Sequence, residues 1–322
     1  MKKSVLTITA LSMLMGADAV LADFKTKITP YGSVRVGLES NDIDGQETDT
    51  DGRDFLSRFG LKGSQKITQG LSVIGRIEYG LDATDSKNES NLRLGFVGLK
   101  GDLGQLTFGS QTLIWHKFVR GAFFNDGTDT LRLGTIRDSD QLNYLGKSGG
   151  FSYGLGLQFK GKTGTGDDAQ SNSDSVDTAQ FGASYKSGNF ILKGALLKDS
   201  AGENTGTLLG LRPEMTFGGT KVALVYFNAS DDFDVYGANL CKDGGATTTA
   251  GLYAKQKIGS GAIHGRFMTK SCDTAGPEAD SIKLEYVHFL SKKARFWVSG
   301  ESLDKEAGAD DTELQVGFRF DF

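Results

Sequence analysis

Five arginines, Arg35, Arg58, Arg76, Arg93 and Arg137, sit in stretches of the first half of the chain where polar and apolar residues alternate. A guanidinium does not give up its proton near neutrality, so such a group acts on solutes through its field and not by proton transfer. Gathering like charges on one surface costs about 1 kcal/mol per pair at 4 Å in water, and more in a narrower space. Acidic groups must therefore face them. The longest stretch without alternation, residues 111–135, supplies Asp126 and Asp129. It also carries Phe118, Phe123 and Phe124, enough ring surface to pack inside something, and the bases Lys117, Arg120 and Arg132.

Other chemistry-bearing residues form no working constellation. Gly156-Leu157-Gln158-Phe159-Lys160-Gly161-Lys162-Thr163 matches the phosphate-loop pattern, but that pattern needs a helix after the loop. Here a Gly, Asp and Ser loop follows, without helical period. Three histidines, His116, His264 and His288, are scattered over loop and opposite strand faces, so no catalytic or metal set is expected. Cys241 and Cys272 are two ligands too few and too far apart for a metal; in an oxidising compartment they are expected to form a disulfide, with two free thiols as the alternative. The acids Asp42, Asp44, Glu47, Asp49, Asp51 and Asp54 lack calcium-loop spacing and read as solvated loop charge or as a site bridged by divalent cations to lipopolysaccharide. With 36 basic against 40 acidic side chains, nothing favours a nucleic-acid partner. No cofactor is expected.

The elements that must position the arginines are strands. Lys2 and Lys3 precede an apolar run from Val5 to Met15 and small residues with two cleavage points, after Ala19 or after Ala22. Residues 1–22 thus read as a secretory signal peptide, too short for a membrane helix, and 23–322 as the folded domain. From Ile28 onward the period is two: Val34, Val36 and Leu38 share one face, Ser33, Arg35 and Glu39 the other. Leu314, Val316, Phe318, Phe320 and the terminal Phe322 repeat the pattern at the far end.

Sixteen such segments are joined by alternating tight turns and long loops, the long ones including 41–53, 111–135 and 231–245. All long loops then lie at one end. An even number of strands about 9–11 residues long, a polar second face and secretion together predict an all-β fold, a 16-stranded antiparallel transmembrane β-barrel of the bacterial outer membrane. The apolar parity faces lipid and the polar parity lines water.

The residues also resemble the general diffusion porins of Gram-negative outer membranes. Ser57-Arg58-Phe59-Gly60-Leu61-Lys62-Gly63 is similar to that family's second-strand signature, and Leu92-Arg93-Leu94-Gly95-Phe96-Val97-Gly98-Leu99-Lys100 to its fourth strand. Gly104 to Gly109 resembles the strand that leads into the third loop, and Arg137, seven residues before Tyr144, has the spacing of a further pore arginine. The resemblance implies an infolded third loop, a constriction lined by arginines against loop acids, a homotrimer, and a terminal aromatic read by the assembly machinery. One departure stands out. Ala122-Phe123-Phe124-Asn125-Asp126-Gly127 replaces the usual acidic loop tip, which leaves the sign of ion selectivity open.

The function expected is passive diffusion of ions and small hydrophilic solutes through a water-filled channel set in lipid and lipopolysaccharide. Its expected constriction comprises Arg35, Arg58, Arg76, Arg93 and Arg137 against Asp126 and Asp129. A sugar- or nutrient-selective channel is the alternative. An enzymatic barrel would need Ser and an oriented His together on the lipid-facing parity near the long loops, and the one histidine of that parity, His288, lies near the tight turns. An adhesive barrel with a blocked lumen is the remaining rival.

Overall fold

The computed structural model describes residues 26–85, 90–119, 124–127, 130–159, 162–163, 170–171, 176–199, 206–231, 233, 245–273, 278–306 and 309–322. Its strands are β1 (Lys27–Ile43), β2 in two pieces (Asp49–Asp54 and Arg58–Thr68), β3 (Leu71–Gly80), β4 (Asn91–Gly101), β5 (Gly104–Thr112), β6 (Arg137–Ser148), β7 (Phe151–Gln158) and β8 (Thr178–Ser187). They continue as β9 (Phe190–Asp199), β10 (Thr207–Phe217), β11 (Thr220–Ala229), β12 (Thr247–Ile258), β13 (Gly261–Cys272), β14 (Ala279–Phe289), β15 (Ala294–Lys305) and β16 (Asp311–Asp321). One short helix, α1 (Ile114–Val119), follows β5.

Each strand pairs antiparallel with its chain neighbours, and β1 pairs with β16 from Ser33 opposite Asp321 to Ile43 opposite Asp311. The sixteen-stranded sheet therefore closes, and no edge is left to recruit another chain. Closure is completed at the terminus, where Phe322 and Gly32 exchange backbone hydrogen bonds of 3.1 Å. The Phe322 ring lies so close over Gly32 that no Cβ would fit there.

Alternation sorts the side chains as the sequence requires. On β16 Leu314, Val316, Phe318 and Phe320 are all exposed on the outer face, whereas Gln315 on the inner face is buried. The tight turns at the other end use Gly188 and Gly259, both at φ near +54, a conformation that only glycine adopts without strain.

Two features differ from the sequence reading, the first connection and the inner parity, while the phosphate-loop match is as expected. The first connection is not a loop over 41–53: Asn41 pairs with Asp49 and Val36 with Asp54, so the acids Asp49, Asp51 and Asp54 stand on a strand and only residues 44–48 turn. In the phosphate-loop match, Gly156 to Gln158 belong to β7, and Lys162–Thr163 pairs with Gln170–Ser171 in a small ribbon where a nucleotide site would need a helix. Finally, the inner parity is not polar all round. On β9 to β13 it carries Ala195, Leu197, Leu208, Val225, Phe227, Tyr253 and Met268, all buried.

The break in β2 has a structural cause. Between the Val36–Asp54 and Ser33–Arg58 pairs, three residues of β2 (55–57) oppose two of β1, a bulge that reverses which face the following residues occupy. Asp54 accepts the Ser57 N–H at 2.7 Å, and the Arg35 N–H donates to Ser57 Oγ at 2.8 Å. Leu56 is held at φ +70, outside the region branched or bulky residues favour. Phe55 turns inward and packs edge-on against Trp297 of β15, ring centroids 5.2 Å apart.

Candidate functional site in the barrel lumen

Arg35, Arg58, Arg76 and Arg137 share one cavity of about 420 Å³ with Lys62, Glu78, Arg319 and Asp321. Register explains the gathering. Arg58 stands opposite Ser33 and Gly80, Arg76 opposite Lys62, and Arg137 opposite Thr112, so inward residues of β1 to β6 fall at neighbouring heights. Two further arginines that the sequence reading missed complete the row: Arg319 of β16 pairs with Arg35 on one side and with Arg295 of β15 on the other. Their signal was visible in the C-terminal alternation, but closure of β16 onto β1 was needed to bring them to the cluster.

Much of the compensation is local to the barrel wall. Glu78 accepts hydrogen bonds from Tyr31 Oη at 2.8 Å, Arg76 at 2.7 Å and Arg93 at 3.0 Å. Asp321 bridges Arg295 at 2.7 Å and Arg319 at 2.9 Å. Arg35 is buried and donates to Ser33 Oγ at 2.9 Å. No carboxylate lies within 4 Å of Arg35, Arg58 or Arg137 among the described residues.

Asp126, expected opposite the arginines, has a partner on the far wall. Asp126 and Arg137 line the same cavity, yet the Asp126 carboxylate is 2.6 Å from Lys283 Nζ on the opposite wall. Lys283 also meets Glu301 at 3.0 Å and Glu313 at 3.5 Å, and Glu301 is paired in turn with Arg266. Next to Asp126, the backbone N–H and side-chain amide of Asn125 donate to Glu285 at 2.8 and 3.0 Å. Asp129 lies outside the described residues, as does Cys241; Cys272, at the end of β13, is disulfide-bonded.

The connection from β5 to β6 reaches across because the inner wall is shaped for it. Ile114, Trp115, Phe118 and Val119 of α1 are buried against β7 to β10. The wall offers Gly154 and Gly182 beneath Phe118 and Gly210 beneath Trp115, where any Cβ would collide with the rings. Lys117 points from the same helix into the lumen; enclosure within the barrel lowers its pKa, with repulsion from Arg76 adding to the effect. The sequence held a signal for this. Runs such as Leu224 to Phe227 are apolar on both parities, as expected of a strand covered on both sides.

A closed barrel with an apolar exterior, a charged interior and a segment packed inside defines a channel-type membrane protein. The chain matches the family model of Gram-negative porins over residues 7–308 and belongs to that family. It is 25% identical to an outer membrane porin protein of Bordetella pertussis, over the full length of both chains. Identity to a monosaccharide porin of Halomonas is 26%, covering 87% of this chain and 83% of that one. An anion-selective porin from Comamonas acidovorans superposes with a TM-score of 0.73 at 20% identity, over 92% of this chain and all of the other. Salmonella typhi OmpF superposes at 0.74 with 17% identity, over 92% and 98%. The protein is a passive diffusion channel of the bacterial outer membrane, of a family and fold known as channels and not as enzymes.

Proposed function

We propose that this channel prefers small anions, and that Arg35, Arg58, Arg76, Arg93 and Arg137 belong to its constriction. One asymmetry carries the reading. The inner acids Glu78, Asp126, Glu214, Glu301 and Asp321 are each ion-paired, whereas Arg58 and Arg137 face the lumen with no carboxylate within 4 Å among the described residues. In a narrow passage uncompensated positive charge attracts anions and raises the barrier for cations. The five arginines are unequal in this respect: Arg76 and Arg93 are tied to Glu78 and Arg35 is buried against Ser33, so Arg58 and Arg137 set the field.

The test is the reversal potential of the purified protein in a planar bilayer under a potassium chloride gradient. Wild type is expected on the anion side of zero, and Arg58→Ser with Arg137→Ser to move it toward cations. A wild-type value on the cation side, or no movement in the double variant, defeats the reading.

Three further assignments belong with it. The exposed ring of leucines, valines and phenylalanines supports embedding in outer-membrane lipid and lipopolysaccharide. A homotrimer is supported by likeness to a porin solved in a trimer form, OmpT of Vibrio cholerae, at a TM-score of 0.68. Residues 1–22 are assigned to a cleaved signal peptide on their basic start, apolar centre and small-residue end.

A further inference from the structure

The bulge in β2 places an aliphatic side chain in the charged lumen. Leu56 is 38% exposed, keeps a left-handed backbone at φ +70, and places Cδ1 where a Cβ on Gly127 of the loop would stand too close. A leucine in that conformation costs about 1–3 kcal/mol and persists only where its surroundings enforce it. Enforcement is visible on both sides of it. Phe55 is locked under Trp297, and Ser57 is hydrogen-bonded to Asp54 and to Arg35.

Leu56 is one wall of a second cavity, about 350 Å³, that lies beside the arginine cluster and shares Arg137 with it. Ile136 adds apolar surface, and Arg132 and Arg137 supply positive charge. Neither arginine has a carboxylate within 4 Å among the described residues. The acids of the cavity are engaged elsewhere: Asp126 by Lys283, and Asp54 by the N–H groups of Ser57 and Ala83. Paired positive groups beside an apolar shelf, in a volume of the size that holds small ligands, form a site for one kind of solute.

From this arrangement we infer that the cavity is a subsite for amphipathic monoanions, carboxylates carrying an aromatic or branched aliphatic body. The carboxylate pairs with Arg132 and Arg137, and the body covers Leu56 and Ile136. Hydrophilic carboxylates of equal charge use only the arginines and pass without residing. The inference rests on the anion preference proposed above for its electrostatic half and on Leu56 for its apolar half.

Planar-bilayer recording of chloride current with added benzoate or glycolate separates the halves. In wild type, benzoate is expected to reduce the current at about fourfold lower concentration than glycolate, the gain from burying roughly one methylene. Leu56→Ser should abolish that difference and leave the reversal potential in a potassium chloride gradient unchanged. Leu56→Gly, which suits a positive φ, is expected to behave alike and guards against a folding defect in the serine variant. Equal potency of the two acids on wild type, or a difference that survives in both variants, overturns the subsite. A cation-side reversal potential together with benzoate block sensitive to Leu56 would defeat the anion reading and leave the apolar shelf standing.

Discussion

Asp126 and Lys283 meet at 2.6 Å with both side chains sealed from water, joining the connection between β5 and β6 to the far wall of the barrel. Each is a charge that burial would penalise heavily without the other. The acid that the sequence assigned to the arginines is therefore an anchor for the segment that crosses the lumen.

Lys283→Met should loosen the loop. It leaves Asp126, Glu301 and Glu313 without their shared cation, and losing one partner of a buried pair costs about 3–5 kcal/mol. Single-channel records should show larger and noisier conductance from a barrel that still migrates as folded in unheated electrophoresis. Conductance identical to wild type would show that α1 alone fixes the loop.

The glycine bed gives an independent handle on the same segment. A Cβ at Gly182 would stand 2.3 Å from Phe118, so Gly182→Val must push α1 off the wall. Strand pairing at that position stays intact, since valine suits a strand. Raised conductance is expected, with protease cleavage within the displaced connection as a second readout.

The sidedness of β16 is testable with two adjacent positions. Val316→Arg puts a cation on the lipid face and should cost about 2–4 kcal/mol near the membrane midplane, measurable by urea titration in bilayers. Gln315→Arg should fold normally, because Glu39 and Glu313 already contact the glutamine amide and would receive the guanidinium. Equal stability of the two variants would contradict the inward placement of Gln315 and the outward placement of Val316.

A linked peptide pair containing Cys241 and Cys272 is expected in a non-reduced digest. Cys272 is disulfide-bonded, and the chain holds two cysteines in all. Recovery of both as alkylated thiols without reductant would refute the pairing.

Local chemistry made much of the barrel legible from the sequence. Period-two alternation, tight turns opposite long loops and a terminal aromatic strand fix the strand count and the two faces, because side-chain direction in a strand depends only on parity. The inward arginines of β1 to β6 followed from the same rule. What parity leaves open is which inward residues meet around a closed wall. Arg319 and Arg295 join the cluster only through the β16 to β1 seam, where Asp321 holds both, as Glu78 holds Arg76 and Arg93. The reach of Asp126 to Lys283 spans 157 positions in sequence, a separation no local pattern encodes. The bulge at residues 55–57 likewise depends on counting β2 against β1, since one extra residue on one strand turns Phe55 and Leu56 inward only when the partner strand is in place.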